Sequence, residues 1–389
     1  MQTADAVVIG AGINGASTAY NLIKRGLKKV VLLDKHLIAS GGTGRSAAII
    51  RQHYSNAELV QMVKHSVDIF HNFDDMVGGD GGFVNCGWAF LIPDYASDGL
   101  TKNIKMGQQY GVDVREITAD ALHEIEPRID LTDVHRIAYE PGSGYADPRR
   151  STYAYVRRFL DLGGELKELT EVKKLLTDGQ HITGIETDGE TISWEVVVNV
   201  AGPWAARIAA TAGVDVPIQV TREEEIICET SDVGGPPKLC FSDMAKAIYY
   251  RPEGTTRTLI GRGFPKDYQY VEPDGYNQEV DAPFIDEITQ RFRARWPSFT
   301  SALFINSYTG LYDVTPDWHP ILGRVDNMSG LYLCAGFSGH GFKIAPSIGE
   351  LMTEEIVDGA AHSIDISRFN LRRFEQGALF TAAYGANRA

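Results

Sequence analysis

Cysteine is scarce in this sequence. Four cysteines in 389 residues (Cys86, Cys228, Cys240 and Cys334), far apart and without a CxxC pair, exclude a disulfide framework and a zinc knuckle. Long hydrophobic runs are missing as well. The apolar stretch nearest the amino terminus, 6–9, is far shorter than a signal-peptide core or a membrane span and runs straight into glycines. Basic residues are outnumbered 37 to 51 by acidic ones, and a net charge of -14 argues against the basic footprint of sequence-independent nucleic-acid binding, leaving only a local patch open. There is no HExxH, no calcium-loop pattern, no internal repeat and no low-complexity tail, and the ten histidines are scattered, so no metal is expected. His65 and His71 read as solvated positions on one helix face. A chain kept in a reducing cytoplasm, without a membrane span or a nucleic-acid partner, fits these absences.

What is present is ordinary globular material, 43% hydrophobic and 23% charged, long enough for two or three compact units around a cofactor. From residue 4 to Asp34 a short apolar strand, a glycine turn, an amphipathic stretch to Arg25 and a second apolar strand form a strand–helix–strand unit. Leu59, Met62, Val63, Val67 and Phe70 recur at helical spacing over 57–73, and the glycine-rich run at 78–82 marks a domain boundary. Short strands and a helix alternate over 83–140, and 149–161 is a helix. The stretches 172–187 and 191–200 read as strands of a β-meander, and 216–270 with 303–314 reads as an antiparallel sheet. After Pro316, short buried strands at 321–324 and 331–334 lead through a glycine turn into a final helix over 344–358.

The clearest motif is Gly10-Ala11-Gly12-Ile13-Asn14-Gly15, directly after a strand and opening a helix, with Asp34 ending the next strand. Gly10 permits the tight turn, Gly12 lets the backbone approach a pyrophosphate, and Gly15 lets helix and strand pack closely. The helix amino terminus offers N–H donors to the anion, and Asp34 suits a ribose diol rather than a 2′-phosphate. FAD and NAD both satisfy this half. At the other end, Ala335-Gly336-Phe337-Ser338-Gly339-His340-Gly341-Phe342-Lys343 carries a strand through three glycines into a helix, which aims N–H groups and a helix dipole at a ligand and suits the anionic edge of a reduced flavin.

Together these segments resemble the D-amino-acid oxidase-like family of FAD oxidoreductases, most closely its sarcosine oxidase and N-methyl amino acid oxidase branch. The resemblance also rests on Ile49–Tyr54 (IIRQHY), on Asn199-Val200-Ala201-Gly202-Pro203-Trp204, and on Gly310-Leu311-Tyr312 with Thr315-Pro316-Asp317, all in family order. It implies an α/β plus α+β chain: a Rossmann-like FAD-binding domain (1–82, 141–215 and 315–389) with an inserted antiparallel-sheet substrate domain (83–140 and 216–314). It places cofactor contacts at Gly10, Gly12, Ile13, Asn14, Gly15, Asp34, Lys35, Arg45, Ser46 and Ala47. Further contacts fall at Val172, Ala201, Gly202, Gly310, Gly336, Gly339, His340, Gly341, Phe342 and Lys343. Where close relatives attach the flavin through a cysteine this chain has Gly310, so FAD is expected to be held non-covalently there.

The same resemblance implies catalytic-site residues. Arg51 matches the arginine that pairs with the substrate carboxylate, and its planar fork suits bidentate binding; Lys343 matches a second cationic contact. Tyr312 and Tyr250 match tyrosines of the substrate cavity, and His340 is expected beside the flavin as a hydrogen-bonding group rather than a base. Leu259 falls where oxidases carry a lysine that helps oxygen react, Gly263 where a histidine contacts substrate, and Ala48 where an arginine stands near the flavin; Arg262 or Lys246 are the candidate replacements for the lysine. Glu223, Glu224 and Glu225 read as a solvated strand edge after Arg222. The expected activity is oxidation of the C–N bond of a secondary or N-methylated amino acid, with a primary amino acid such as glycine or a D-amino acid as the alternative. Oxygen or an electron-transfer partner would be the acceptor, in a homo- or hetero-oligomer or as the flavin subunit of a larger dehydrogenase.

Overall fold

The computed structural model describes residues 2–3, 5–193, 196–299 and 303–384. Strand Ala6–Ile9 lies inside a six-stranded sheet ordered Ile321–Arg324, Leu331–Ala335, Val197–Asn199, Ala6–Ile9, Val30–Leu33, Glu165–Lys167. All neighbours are parallel except the edge strand Ile321–Arg324. The runs AVVI and VVLL are buried at every position, as a sheet covered on both faces requires. One face carries helices Ile13–Lys24, Ala57–His71, Pro148–Asp161 and Gly341–Val357, whose apolar sides share a core with Val8, Leu32 and Val198. The other face meets helix Ala205–Ala210 and the sheet of Val172–Asp178, His181–Thr187, Thr191–Ser193 and Gln2–Thr3.

The region 191–200 is not one strand: Thr191–Ser193 and Val197–Asn199 belong to different sheets, and 194 and 195 lie outside the described residues. The last helix starts at Gly341, so the final glycine of the turn is already its first helical residue. Asp147 caps Pro148–Asp161, its carboxylate accepting from Arg149 N at 2.9 Å and Arg150 N at 3.0 Å.

The second large sheet runs Gln269–Tyr270, Gln219–Glu229, Arg257–Arg262, Ile248–Glu253, Cys240–Asp243, Trp88–Ile92, Arg136–Glu140, Arg115–Ile117, with Leu303–Val314 along the free side of Gln219–Glu229. It is antiparallel except where Cys240–Asp243 runs parallel to Trp88–Ile92, which is where the two inserted pieces of chain meet. Helix Ala282–Arg295 lies between the two stretches read from sequence as sheet, in a segment given no element there; Phe284, Ile288 and Phe292 at i, i+4 and i+8 after Pro283 are its signature. It packs on the sheet through Phe292, Trp296, Phe241 and Tyr250.

Candidate active site

Two cavities meet between the sheets. The larger, about 410 Å³, runs along the carboxyl ends of the parallel strands and is lined by Gly10, Gly12, Asn14, Gly15, Asp34, Lys35, Arg45, Ser46, Val172, Ala201, Gly202, Gly310, Gly339, Gly341 and Phe342. At Gly10 φ is +110° and a Cβ would sit 2.5 Å from the Val200 carbonyl oxygen, so only glycine makes this turn. A Cβ at Gly15 would fall 1.8 Å from the Gly10 carbonyl oxygen, which fixes how closely helix Ile13–Lys24 crosses its strand. The Asp34 carboxylate accepts from Ala11 N at 2.7 Å and His36 N at 2.8 Å, holding it at the end of its strand against the glycine turn. Asn14 Oδ1 is buried with no hydrogen-bond partner among the described residues. At the outer lip, Lys35 lies 3.9 Å from the centre of the Trp204 ring and pairs with Asp274 at 3.1 Å.

The smaller cavity, about 230 Å³, shares Ser46, Tyr312, Gly339 and Phe342 with the first. Its wall also carries Ala47, Ala48, Arg51, His53, Trp88, Ser242, Tyr249, Gly263, Lys266, His340 and Lys343. Arg51 donates to the His53 carbonyl and lies 4.6 Å over the Tyr54 ring. Lys343 Nζ is 3.4 Å from the Gly339 carbonyl oxygen; burial, then the Arg51 charge, pulls its pKa well below the usual lysine range. His340 Nδ1 is 3.1 Å from the Tyr54 hydroxyl, and burial together with Lys343 and Arg51 keeps the ring neutral. His53 is lowered to about 3 by burial and Arg51, and its Nδ1 is buried without a hydrogen-bond partner among the described residues. Behind Arg51, Glu140 accepts from Gln52 N at 2.8 Å and Ser143 Oγ at 2.6 Å, and burial raises it to about 7.

Several placements correct the sequence reading. Tyr250 is fully buried in the aromatic cluster with Phe241, Phe292 and Trp296 and lines neither cavity; its strand neighbour Tyr249 does, because alternate residues of Ile248–Glu253 face opposite sides of the sheet. Gly336 lies beneath the second turn, its N–H 2.6 Å from Asp313 Oδ2, and lines neither cavity. Ile13 is 1% exposed and its side chain belongs to the core, while its N–H donates to Thr43 Oγ1 at 3.1 Å. The glutamate triplet is not a solvated edge: Glu223 and Glu225 are buried and line the large cavity. Glu223 pairs with Lys266, and Glu225 accepts from the Tyr249 hydroxyl at 2.7 Å and is raised to about 8 by burial. Arg222 is buried away from both cavities and holds the chain at 277–281 through Asn277 O and Asp281.

Leu259 is 1% exposed and lines neither cavity, and Lys246 pairs with Asp133 at 2.6 Å outside the site. Arg262 reaches the small cavity while bonded to Glu287 at 2.7 Å. Besides Lys343, Lys266 lines it, with Nζ 5.7 Å from the centre of the Tyr312 ring. Sequence reasoning missed Lys266, Glu225 and Tyr249 because their neighbours come from other strands. His53 stood inside a recognised segment without a role. Among the described residues no cluster of histidine, cysteine, aspartate or glutamate could hold a metal ion, and no helix is long and apolar enough to cross a membrane.

Comparison with known proteins places this architecture. The family described as FAD dependent oxidoreductase (DAO) matches residues 5–355. The chain is 26% identical over 378 residues to a 4-methylaminobutanoate oxidase (formaldehyde-forming) of Paenarthrobacter nicotinovorans, covering 94% of this chain and 45% of that protein. It is 26% identical over 384 residues to a sarcosine oxidase subunit beta of Arthrobacter sp., covering 96% and 92%. Thus the chain spans less than half of the first relative and nearly all of the second. Among solved structures, an L-proline dehydrogenase from P. horikoshii superimposes with a TM-score of 0.89 at 30% identity, covering 97% of this chain and all of that one.

Proposed function

We propose, from the premise that this chain belongs to the DAO family of FAD-dependent oxidoreductases, that it oxidises the C–N bond of a secondary or N-methylated amino acid to an imine that water then hydrolyses. Membership makes the chain an oxidoreductase and its cofactor FAD; the substrate and the residue roles are our reading. The large cavity fits that cofactor: Gly10 and Gly15 leave no room for side chains, Asp34 is held at the strand end, and the orphaned Asn14 Oδ1 faces a ligand's place. Bound FAD supplies the two-electron acceptor for the hydride leaving the substrate's α-carbon or N-methyl carbon. Gly310 offers no side chain for a covalent link, so FAD is held non-covalently at this point.

The observation that carries the proposal is a small chamber with two basic side chains, Arg51 and Lys343, opening onto the cofactor cleft through Ser46, Tyr312, Gly339 and Phe342. Arg51 and Lys343 clamp a carboxylate. The same positive field penalises an ammonium, so a carboxylate-bearing amine bound here loses its extra proton and presents the free base that oxidation requires. Neutral His340 donates or accepts hydrogen bonds near the reacting atoms without adding charge, and Tyr312 spans both cavities where substrate and cofactor meet. The sheet topology supports assigning 1–82, 141–215 and 315–389 to cofactor binding and 83–140 with 216–314 to the roof over the chamber. Four unbridged cysteines fit a reducing cytoplasm.

The test is the visible spectrum of the purified FAD-loaded protein, mixed without oxygen with sarcosine, other N-methyl amino acids, proline and glycine. Bleaching by the secondary amines and not by glycine is expected; preference for glycine would move the protein to the primary-amine reading. Admission of air then separates oxygen from a partner as acceptor. A partner is the second reading, supported by Phe304 and Ile305, each 45% exposed on a strand that, among the described residues, pairs on one side only.

Two predictions follow from single groups. Because burial and Arg51 disfavour the charged form of Lys343 in the empty chamber, a bound carboxylate raises its pKa and draws in a proton. Acetate affinity should therefore fall as pH rises above the free-state pKa of Lys343. Calorimetry in buffers of different ionisation heat should show proton uptake on binding, lost in Lys343→Met. Asp34→Ala removes one hydrogen bond from the ribose to a charged acceptor, about 1.5–3 kcal/mol, so FAD affinity should fall about tenfold to a hundredfold on reconstitution of the apoprotein. The variant refilled with FAD should keep its acetate affinity.

A further inference from the structure

Two cysteines 154 residues apart in the chain meet behind the chamber wall. Cys86 closes the loop before Trp88–Ile92, and Cys240 opens the strand Cys240–Asp243 that runs parallel to it, with Cys240 opposite Trp88. Their Sγ atoms are 3.6 Å apart and neither is bridged. Cys240 is buried and Cys86 half-buried. The backbone around them is pinned: Cys240 N donates to the Gly87 carbonyl at 3.0 Å and Gly87 N to the Ser143 carbonyl at 2.8 Å. The hydrogen bond from Cys240, with Arg251 adding a favourable charge, lowers the pKa of Cys86, while burial raises that of Cys240, which favours Cys86 as the attacking partner.

The pair is coupled to the chamber through short segments. Trp88 and Ser242, two residues beyond Cys86 and Cys240 respectively, both line the small cavity and are joined by a 3.1 Å bond from Trp88 Nε1 to Ser242 Oγ. The Arg51 guanidinium lies 5.9 Å from the Trp88 ring. We propose that Cys86 and Cys240 are a dithiol that a hydroperoxide oxidises to a disulfide, and that closing it weakens carboxylate binding in the chamber.

The chemistry balances with hydrogen peroxide as the oxidant. The Cys86 thiolate attacks one peroxide oxygen, the O–O bond breaks, and the departing hydroxide leaves as water, giving a sulfenic acid at Cys86. The Cys240 sulfur then attacks Cys86 Sγ; the S–O bond breaks, the S–S bond forms and a second water leaves. Two thiols lose two electrons and two protons, and one peroxide becomes two waters. Bonding requires the sulfurs to close from 3.6 Å to about 2.05 Å, a displacement shared between the two side-chain torsions and the pinned backbone next to them. A shift of that size next to Trp88 disturbs the seat of Arg51.

The experiment treats the FAD-loaded protein with equimolar hydrogen peroxide, blocks remaining thiols, and maps the peptides. In parallel, acetate affinity is read from the perturbed visible spectrum. Expected are a linked Cys86–Cys240 peptide, loss of two of the four thiols, and acetate binding weaker by about tenfold, all reversed by dithiothreitol and absent in Cys86→Ser. Sulfinic acid at Cys86 without a linked peptide would overturn the dithiol, and a linked peptide with unchanged acetate affinity would overturn its coupling to the chamber. The second readout rests on the carboxylate clamp proposed above. Acetate binding by the reduced protein tests that clamp separately, so failure of the clamp and failure of the dithiol are distinguishable.

Discussion

Arg51→Ala is expected to lower kcat/KM for the amino acid substrate by about thirtyfold to several-thousandfold, since truncating one partner of a buried charge pair costs about 2–5 kcal/mol. Most of the loss should appear in KM, because the guanidinium holds the carboxylate in ground and transition states alike. Part should appear in kcat, because the clamp also fixes where the reacting C–H points. The yellow spectrum of bound FAD should survive, as Arg51 lines the small cavity and not the cofactor cleft. The informative control is an N-methylalkylamine with no carboxylate, whose slow turnover the substitution should leave alone. Unchanged kcat/KM for the amino acid would show that the carboxylate is held elsewhere.

Gly15→Val is expected to abolish FAD binding and to lower the melting temperature sharply. A first side-chain carbon at this position would lie 1.8 Å from the Gly10 carbonyl oxygen and 3.1 Å from its carbon, backbone atoms that cannot rotate away. The helix must then lift from strand Ala6–Ile9, and the N–H groups at its amino terminus leave the cleft. Overpacking of a tight interior commonly costs about 1–3 kcal/mol, and a backbone clash lies at the upper end. Gly189→Ala is the matched control: nothing lies within 4 Å of its added carbon and its φ is not in the left-handed region. Retention of FAD and of the wild-type melting temperature in Gly15→Val would contradict the close crossing.

The two glycine turns illustrate which parts of this protein are written locally. Gly10, Gly12, Gly15 and Asp34 act through spacing within one strand–helix–strand unit, so their arrangement follows from a contiguous stretch whatever the rest of the chain does. The same holds for the turn at 335–343, and for Arg51, which follows directly from the short strand Ile49–Ile50. The helix Ala282–Arg295 was legible in principle, since Phe284, Ile288 and Phe292 keep helical spacing, but β-rich neighbours on both sides masked it.

Other features depend on partners hundreds of residues away. Period-two alternation says that Tyr249 and Tyr250 face opposite sides of the sheet; only the pairing of Ile248–Glu253 between Cys240–Asp243 and Arg257–Arg262, with helix Ala282–Arg295 packed on one side, says which side is the chamber. Glu223 and Glu225 look like surface charges until Tyr249 and Lys266 cover them. Cys86 and Cys240 look unrelated until two inserted segments run side by side. The amino-acid sequence by itself therefore determined the family and the cofactor, and it placed Arg51 and Lys343 among the residues of the site, because each is carried by closely spaced residues in a fixed local order. The tertiary structure decided which tyrosine and which further lysine reach the chamber, which acids line the cofactor cleft and which thiols meet behind the chamber wall, because strand register and burial are set by long-range packing that local spacing does not encode.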